Sequence, residues 1–159
     1  MKFVLVHLST AKEDWCERAI DHYFKKISHF VEFEVVPLKP KKASRADASV
    51  KVREEAETIL QYLKPEDELV LFDEHGKSLS SEKFAGEICR LHDSGKKRVV
   101  FLIGGAFGVD DEIKRRARLQ LSLAPFVMNH LVAQVVALEQ IYRSFTIIKG
   151  LPYHNASTV

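Results

Sequence analysis

The sequence predicts an α/β fold on a largely parallel sheet, and three observations carry that prediction. Short apolar runs alternate along the chain with longer segments of helical period. Strands that alternate with helices in this way pair in parallel and are covered on both faces. No repeat, low-complexity run or linker divides the 159 residues, a length that suits one core. A single domain over 1–159 is therefore expected.

The elements follow in order. Lys2–Leu8 is an apolar strand. Thr10 opens a helix with Glu13 three residues on, the pattern of a capping box; Trp15, Ala19, Ile20, Tyr23, Phe24 and Ile27 give it one apolar stripe. Val31–Leu38 is a second strand, ended near Pro37 and Pro40, and a lysine-rich loop follows to Ala46. Asp47 or Ser49 caps a helix with Val52, Ala56, Ile59, Leu60 and Leu63 on one face. Glu68–Phe72 is a third strand. Ser80 or Ser81 caps the next helix, which carries Phe84, Ala85, Ile88 and Cys89, and Glu82 in its first turn suits the helix dipole. Arg98–Ile103 is a fourth strand ending at Gly104-Gly105. Asp110 and Asp111 start a short basic helix, and Leu119–Leu123 is a fifth strand.

The final segment, Leu131 to Ile148, is apolar around nearly its whole circumference. Such a helix needs cover on every side. Gln134, Glu139, Gln140 and Arg143 make it a poor membrane span, so a partner chain is expected, with the Pro152-Tyr153-His154 tail delivered close to a shared site.

Composition narrows the function. A hydrophobic share of 46% with 29% charged residues is that of an ordinary soluble globular chain. The apolar run at Met1–Leu8 is too short for a signal peptide or a span. Cys16 and Cys89 lie on amphipathic helix patterns and read as buried apolar residues, which suits a reducing compartment. A cytoplasmic protein is expected. The net charge is only +2, yet the cations are clumped at Lys39, Lys41, Lys42 and Arg45, at Lys96–Arg98, and at Lys114, Arg115, Arg116 and Arg118. Local clusters of this kind fit a polyanionic partner.

Several chemistries fail on spacing. Gly76-Lys77-Ser78 lacks the earlier glycine of a P-loop, since Leu71 stands there. Ile103–Gly108 follows a strand and precedes a helix, where a glycine bend can let a ligand near the backbone, but it is not a dinucleotide fingerprint. The seven histidines show no metal spacing, and no Gly-x-Ser-x-Gly elbow exists. Glu139 and Arg143 are spaced for an internal ion pair. His130 stands where a helix cap belongs. Tyr153 and His154 are the stronger chemical candidates, because a tail after a rigid proline has little structural need of such groups.

Phe72-Asp73-x-x-Gly76-Lys77 with Ser80-Ser81-Glu82-x-Phe84-Ala85, then Phe101–Gly105 and Gly108, Leu121-Ser122-Leu123, His130, Glu139–Phe145 and Gly150-x-Pro152-Tyr153-His154, taken in that order, resemble one known family. They are similar to the RlmH-type members of the SPOUT class of S-adenosylmethionine-dependent RNA methyltransferases, which methylate N3 of a pseudouridine in 23S ribosomal RNA. The resemblance spans essentially the whole chain. It implies a parallel-sheet α/β knot with a deep trefoil near the C-terminus, and a homodimer that uses the last helix. It places cofactor contacts on Phe72, Gly104 and the stretch Leu123-Ala124-Pro125-Phe126-Val127-Met128. The expected partners are 23S ribosomal RNA and the ribosome, with no metal, DNA or membrane.

Two departures stand out: Asn129-His130 where the family has Pro-His, with Gln134 in place of a following arginine, and Asn155 in place of a basic residue after Tyr-His. Within this frame His154 is the candidate base or hydrogen-bonding group, Tyr153 stacks on or orients the target base, and Arg143 stabilises charge developing on the ring carbonyls. The lysine and arginine clusters would hold the RNA backbone. The alternative reading is a non-catalytic RNA- or ribosome-binding α/β-knot protein.

Overall fold

The computed structural model describes residues 1–8, 12–40 and 47–155. Five parallel strands form one sheet in the order β2-β1-β4-β3-β5. They are β1 (Lys2–Leu8), β2 (Glu32–Leu38), β3 (Glu68–Ser78), β4 (Arg98–Ile103) and β5 (Leu119–Ser122). The helices are α1 (Asp14–Ile27), α2 (Ala48–Tyr62), α3 (Ser81–Asp93), α4 (Asp111–Arg116) and α5 (His130–Ile148).

The strand period of two sorts the core into two layers. Phe3, Leu5, Phe33, Val70, Phe72, Phe101 and Ile103 point to one face and pack with α1, α3 and α5. Val4, Val6, Leu69, Leu71, Val100 and Leu102 point to the other and meet Ala56, Ile59 and Ile113 of α2 and α4. Pro37 sits inside β2, which is tolerated because β2 is an edge strand.

The caps fall largely where the sequence places them. Asp47 accepts from the Val50 amide, Ser80 from Lys83, and Asp110 from Glu112. Thr10 lies outside the described residues; α1 begins after Glu13, whose side chain makes no cap. The stripe on α1 is also narrower than its sequence suggests, since Trp15 is 43% exposed. Cys16 is buried, whereas Cys89 is half-buried with its thiol toward Asp93. On α5 it is Asn129, not His130, that caps, accepting from the Leu131 amide at 2.8 Å.

The largest difference lies in β3. The strand runs on through Asp73–Ser78 after an irregularity between Phe72 and Lys77, and its second half pairs with β5. Gly76 explains why: a Cβ there would lie 2.6 Å from the backbone of Gln120 and Leu121. The Gly-Lys-Ser segment is therefore a close strand contact rather than a loop that could wrap phosphates.

Helix α5 is not buried all round within one chain. Ala133, Gln134, Ala137, Leu138, Ile141, Ser144, Phe145 and Thr146 face the core, against α1 and α3. Val132 and Ile148 are exposed, and Val135 and Val136 are only half-buried. The inward face is thus partly small and polar, while an aliphatic face stays uncovered.

Candidate cofactor cavity and C-terminal network

Parallel strands leave their carboxyl ends on one edge of the sheet, and the connections that follow β3, β4 and β5 meet there. They enclose a cavity of about 210 Å³. Of the residues expected at a cofactor, Phe72, Gly104, Leu123, Ala124, Phe126, Val127 and Met128 line it, and Pro125 does not. Asp73, Glu74, Ser122 and His130 add polar groups to the same wall. Phe72 is fixed by Phe101 and Phe84 at 6.1 and 6.2 Å. The Ser122 hydroxyl donates to the Ala124 carbonyl at 2.7 Å and turns the chain out of β5. Phe126 and Val127 on the rim are 78% and 77% exposed.

The double-glycine bend has a packing reason as well. A Cβ on Gly104 would overlap Val109, and one on Gly105 would overlap the Glu55 carboxylate. The glycines let the protein pack against itself behind the cavity, and Gly108 (φ 87°) completes the turn with a conformation that favours glycine. Burial raises the pKa of Glu55 behind this bend.

The tail forms a second constellation. Gly150 (φ 66°) ends α5, with its amide on the Ile147 carbonyl and that of Leu151 on Thr146, a Schellman closure that turns the chain back along the helix. Tyr153 then donates to Glu139 Oε1 at 3.0 Å, an oxygen that also accepts from Arg143 Nε and Nη2 at 3.1 and 2.6 Å. Arg143 lies over the Tyr153 ring at 4.8 Å and reaches His154 Nδ1 at 3.1 Å. His154 Nε2 faces Glu82 Oε1 at 2.9 Å. Arginine only donates and a carboxylate only accepts, so the ring between them is the neutral tautomer with its proton on Nε2.

Desolvation and the bond to Glu139 push the Tyr153 hydroxyl up to about 12. The hydrogen bond from His154 holds Glu82 below the usual carboxylate range, and Glu139 raises Arg143 further. Arg143, Tyr153 and His154 are thus brought together, but none of them lines the cavity of its own chain. Sequence reading missed Glu82 as their partner because it lies 72 residues away. It also missed Asp73 as part of the cavity wall.

Some members of the basic clusters are paired within the chain. Arg116 donates to the carbonyls of Lys64, Pro65 and Asp67. Arg98 pairs with Asp67, Lys96 and Arg118 with Glu68, and Lys114 with Asp73. Lys41, Lys42 and Arg45 lie outside the described residues. Among the described residues no group of His, Cys, Asp and Glu could hold a metal.

The parallel-sheet α/β fold agrees with the comparisons. A family described as "Predicted SPOUT methyltransferase" matches residues 1–154, and the chain belongs to the SPOUT methyltransferase family, whose members use S-adenosylmethionine as methyl donor. Relatives that carry the name ribosomal RNA large subunit methyltransferase H match nearly the whole chain. The one from Bdellovibrio bacteriovorus is 52% identical over 155 residues, covering 98% of this chain and 99% of the relative. That from Geotalea uraniireducens is 36% identical, covering 98% and 100%. That from Limosilactobacillus fermentum is 35% identical, covering 97% and 99%. A solved structure described as a hypothetical protein aligns with TM-score 0.52 at 13% identity over 92% of this chain and 81% of its own, a likeness of fold alone.

Proposed function

We propose that the protein transfers a methyl group from S-adenosylmethionine to N3 of a pseudouridine in 23S ribosomal RNA, acting on assembled ribosomes as a cytoplasmic homodimer. The carrying observation is the convergence of Phe72, Gly104, Leu123, Ala124 and Phe126–Met128 on one cavity. The near-full-length identity to relatives named as large-subunit methyltransferases supports the RNA substrate. The passage of the chain from β5 through Leu123–Met128 into α5 is read as the family's knot, and the whole chain as one domain on one sheet.

The cavity suits the donor: apolar walls from Phe72, Ile103, Leu123 and Met128 stand beside the backbone of a loop, with acidic groups at Asp73 and Glu74. When bound, S-adenosylmethionine supplies an electrophilic methyl group on a sulfonium. What the chain adds is alignment and exclusion of water. The target imide nitrogen must shed its proton, and the Arg143 guanidinium favours the negative charge that results on the ring carbonyls. Tyr153 keeps its proton throughout the neutral range and serves to orient the base. His154 has both ring nitrogens engaged, and only Nδ1, which accepts from Arg143, has a lone pair for the imide proton, so it acts as base by exchanging Arg143 for the substrate.

Support for the homodimer comes from two uncovered surfaces. The aliphatic face of α5 and the rim residues Phe126 and Val127 are exposed in one chain. The cavity is also small beside the ~300–1,000 Å³ of typical ligand pockets. A second copy over these surfaces would enclose the donor and bring the tail of one chain to the cavity of the other.

The test compares intact ribosomes with naked ribosomal RNA, read by mass spectrometry, alongside calorimetry with S-adenosylmethionine. Micromolar binding with methylation confined to ribosomes is expected. Equal activity on both substrates rejects the assembled-ribosome reading. Absence of donor binding favours the non-catalytic binder.

A further inference from the structure

We infer that Asp73 is a cofactor-binding residue, whose unshared carboxylate oxygen accepts a hydrogen bond from the ribose hydroxyls or the ammonium group of the methyl donor. This rests on the proposed function and extends it to a side chain.

Along β3 the side chains alternate between the two layers, Leu71 with α2 and α4, Phe72 with α5. Asp73 follows Phe72 at the carboxyl edge of the sheet and lines the cavity beside it. Its side chain is only 8% exposed, and Oδ2 has no hydrogen-bond partner among the described residues. The nearest cation, Lys114 Nζ, is 3.7 Å from that oxygen, an ion-pair distance rather than a hydrogen bond. Oδ1 makes only a long contact, 3.5 Å, with the His75 amide.

A buried carboxylate oxygen left without a donor is costly, and native proteins satisfy nearly all such groups. Lys114 balances the charge from 3.7 Å, beyond hydrogen-bond distance. What remains is a side chain on the cavity wall with an acceptor that no described residue fills, and the donor molecule carries two kinds of group that fit: a hydroxyl pair and an ammonium. The same carboxylate, with Glu74 beside it, repels phosphate. The cavity should therefore prefer a phosphate-free adenosine derivative over a nucleotide of similar size.

Calorimetry of Asp73→Asn and Lys114→Met tests this, with S-adenosylmethionine, S-adenosylhomocysteine and 5′-methylthioadenosine as probes. Asp73→Asn is expected to weaken the first two by about tenfold or more, the scale of a lost hydrogen bond to a charged group. Lys114→Met, which leaves the Asp73 oxygen in place but removes its counter-charge, should weaken S-adenosylmethionine by less than Asp73→Asn does. Weaker 5′-methylthioadenosine binding by Asp73→Asn assigns the contact to ribose; unchanged binding assigns it to the ammonium. The inference is overturned if Asp73→Asn binds S-adenosylmethionine as the wild type does, or if Lys114→Met weakens it equally. Should Asp73→Asn fail to fold, Asp73→Glu keeps the charge, displaces the oxygen, and is judged by the same outcomes. A wild type that does not bind S-adenosylmethionine would instead defeat the proposed function.

Discussion

The two ends of the sheet are built on opposite principles. At the amino end the buried charge among the described residues, Asp67, has a partner. Arg98 holds Asp67 through two hydrogen bonds of 2.9 and 2.5 Å and lies over the Tyr62 ring at 4.9 Å. Burial pushes the Asp67 carboxyl up, but Arg98 and the Lys64 amide outweigh it and hold the pKa low. Arg116 gathers three carbonyls of the α2–β3 connection nearby. At the carboxyl end groups are left open: among the described residues Asp73 Oδ2 and His7 Nδ1 have no hydrogen-bond partner, and apolar side chains stand on the cavity rim. Satisfied polar groups fix a structure, whereas unsatisfied ones bordering a cavity are available to a ligand. The contrast also shows that two members of the basic clusters, Arg98 and Arg116, hold the amino end of the sheet together.

The strongest way to break this division is Asp67→Ala. It leaves Arg98 largely buried without its carboxylate and should cost about 3 kcal/mol in chemical denaturation. Donor affinity measured on the folded variant should stay unchanged; a loss of affinity would mean that the two ends are coupled. Next in size is Gly104→Ala, whose methyl meets Val109 behind the bend. Overpacking of this kind costs about 1–3 kcal/mol, and donor binding should fall with it. Adding Val109→Ala makes room and should restore both, while failure to restore binding would point to ligand contact at Gly104 itself.

The smallest effect concerns His7. Burial lowers its pKa, opposed by the Leu8 backbone and Glu17, with Lys12 acting in the same direction as burial. As pH falls, the unfolded chain therefore takes up this proton before the folded one does. Stability is present above the ordinary value of about 6.5 and declines below it, by under about 1 kcal/mol at first. Urea titrations from about pH 7.5 to about pH 5.5 should show this decline, and His7→Gln should flatten it.

Much of the architecture was legible in local sequence. β1 and β4 fall where their apolar runs predict, and Asp47, Ser80 and Asp110 cap as their side chains suggest. These features depend on neighbours within a few residues. The errors share the opposite property. β3 extends through Ser78 because Gly76 admits β5 against it, a contact across more than 40 residues. The core-facing side of α5 could not be read from a helix apolar in every direction, since packing on α1 and α3 decided which residues turned inward. Glu82 met His154 only because α3 and the tail lie against the same side of α5.

The sequence by itself determined the alternation of elements, their caps, the glycine bend and the residues that carry the family resemblance, because each is set by short-range periodicity and backbone chemistry. Tertiary structure alone decided which cations were already paired, which carboxylate oxygen stayed without a partner among the described residues, and that Arg143, Tyr153 and His154 stand apart from their own chain's cavity. Pairing and burial are properties of distance in space, and the order of residues along a chain does not fix that distance until the sheet is assembled.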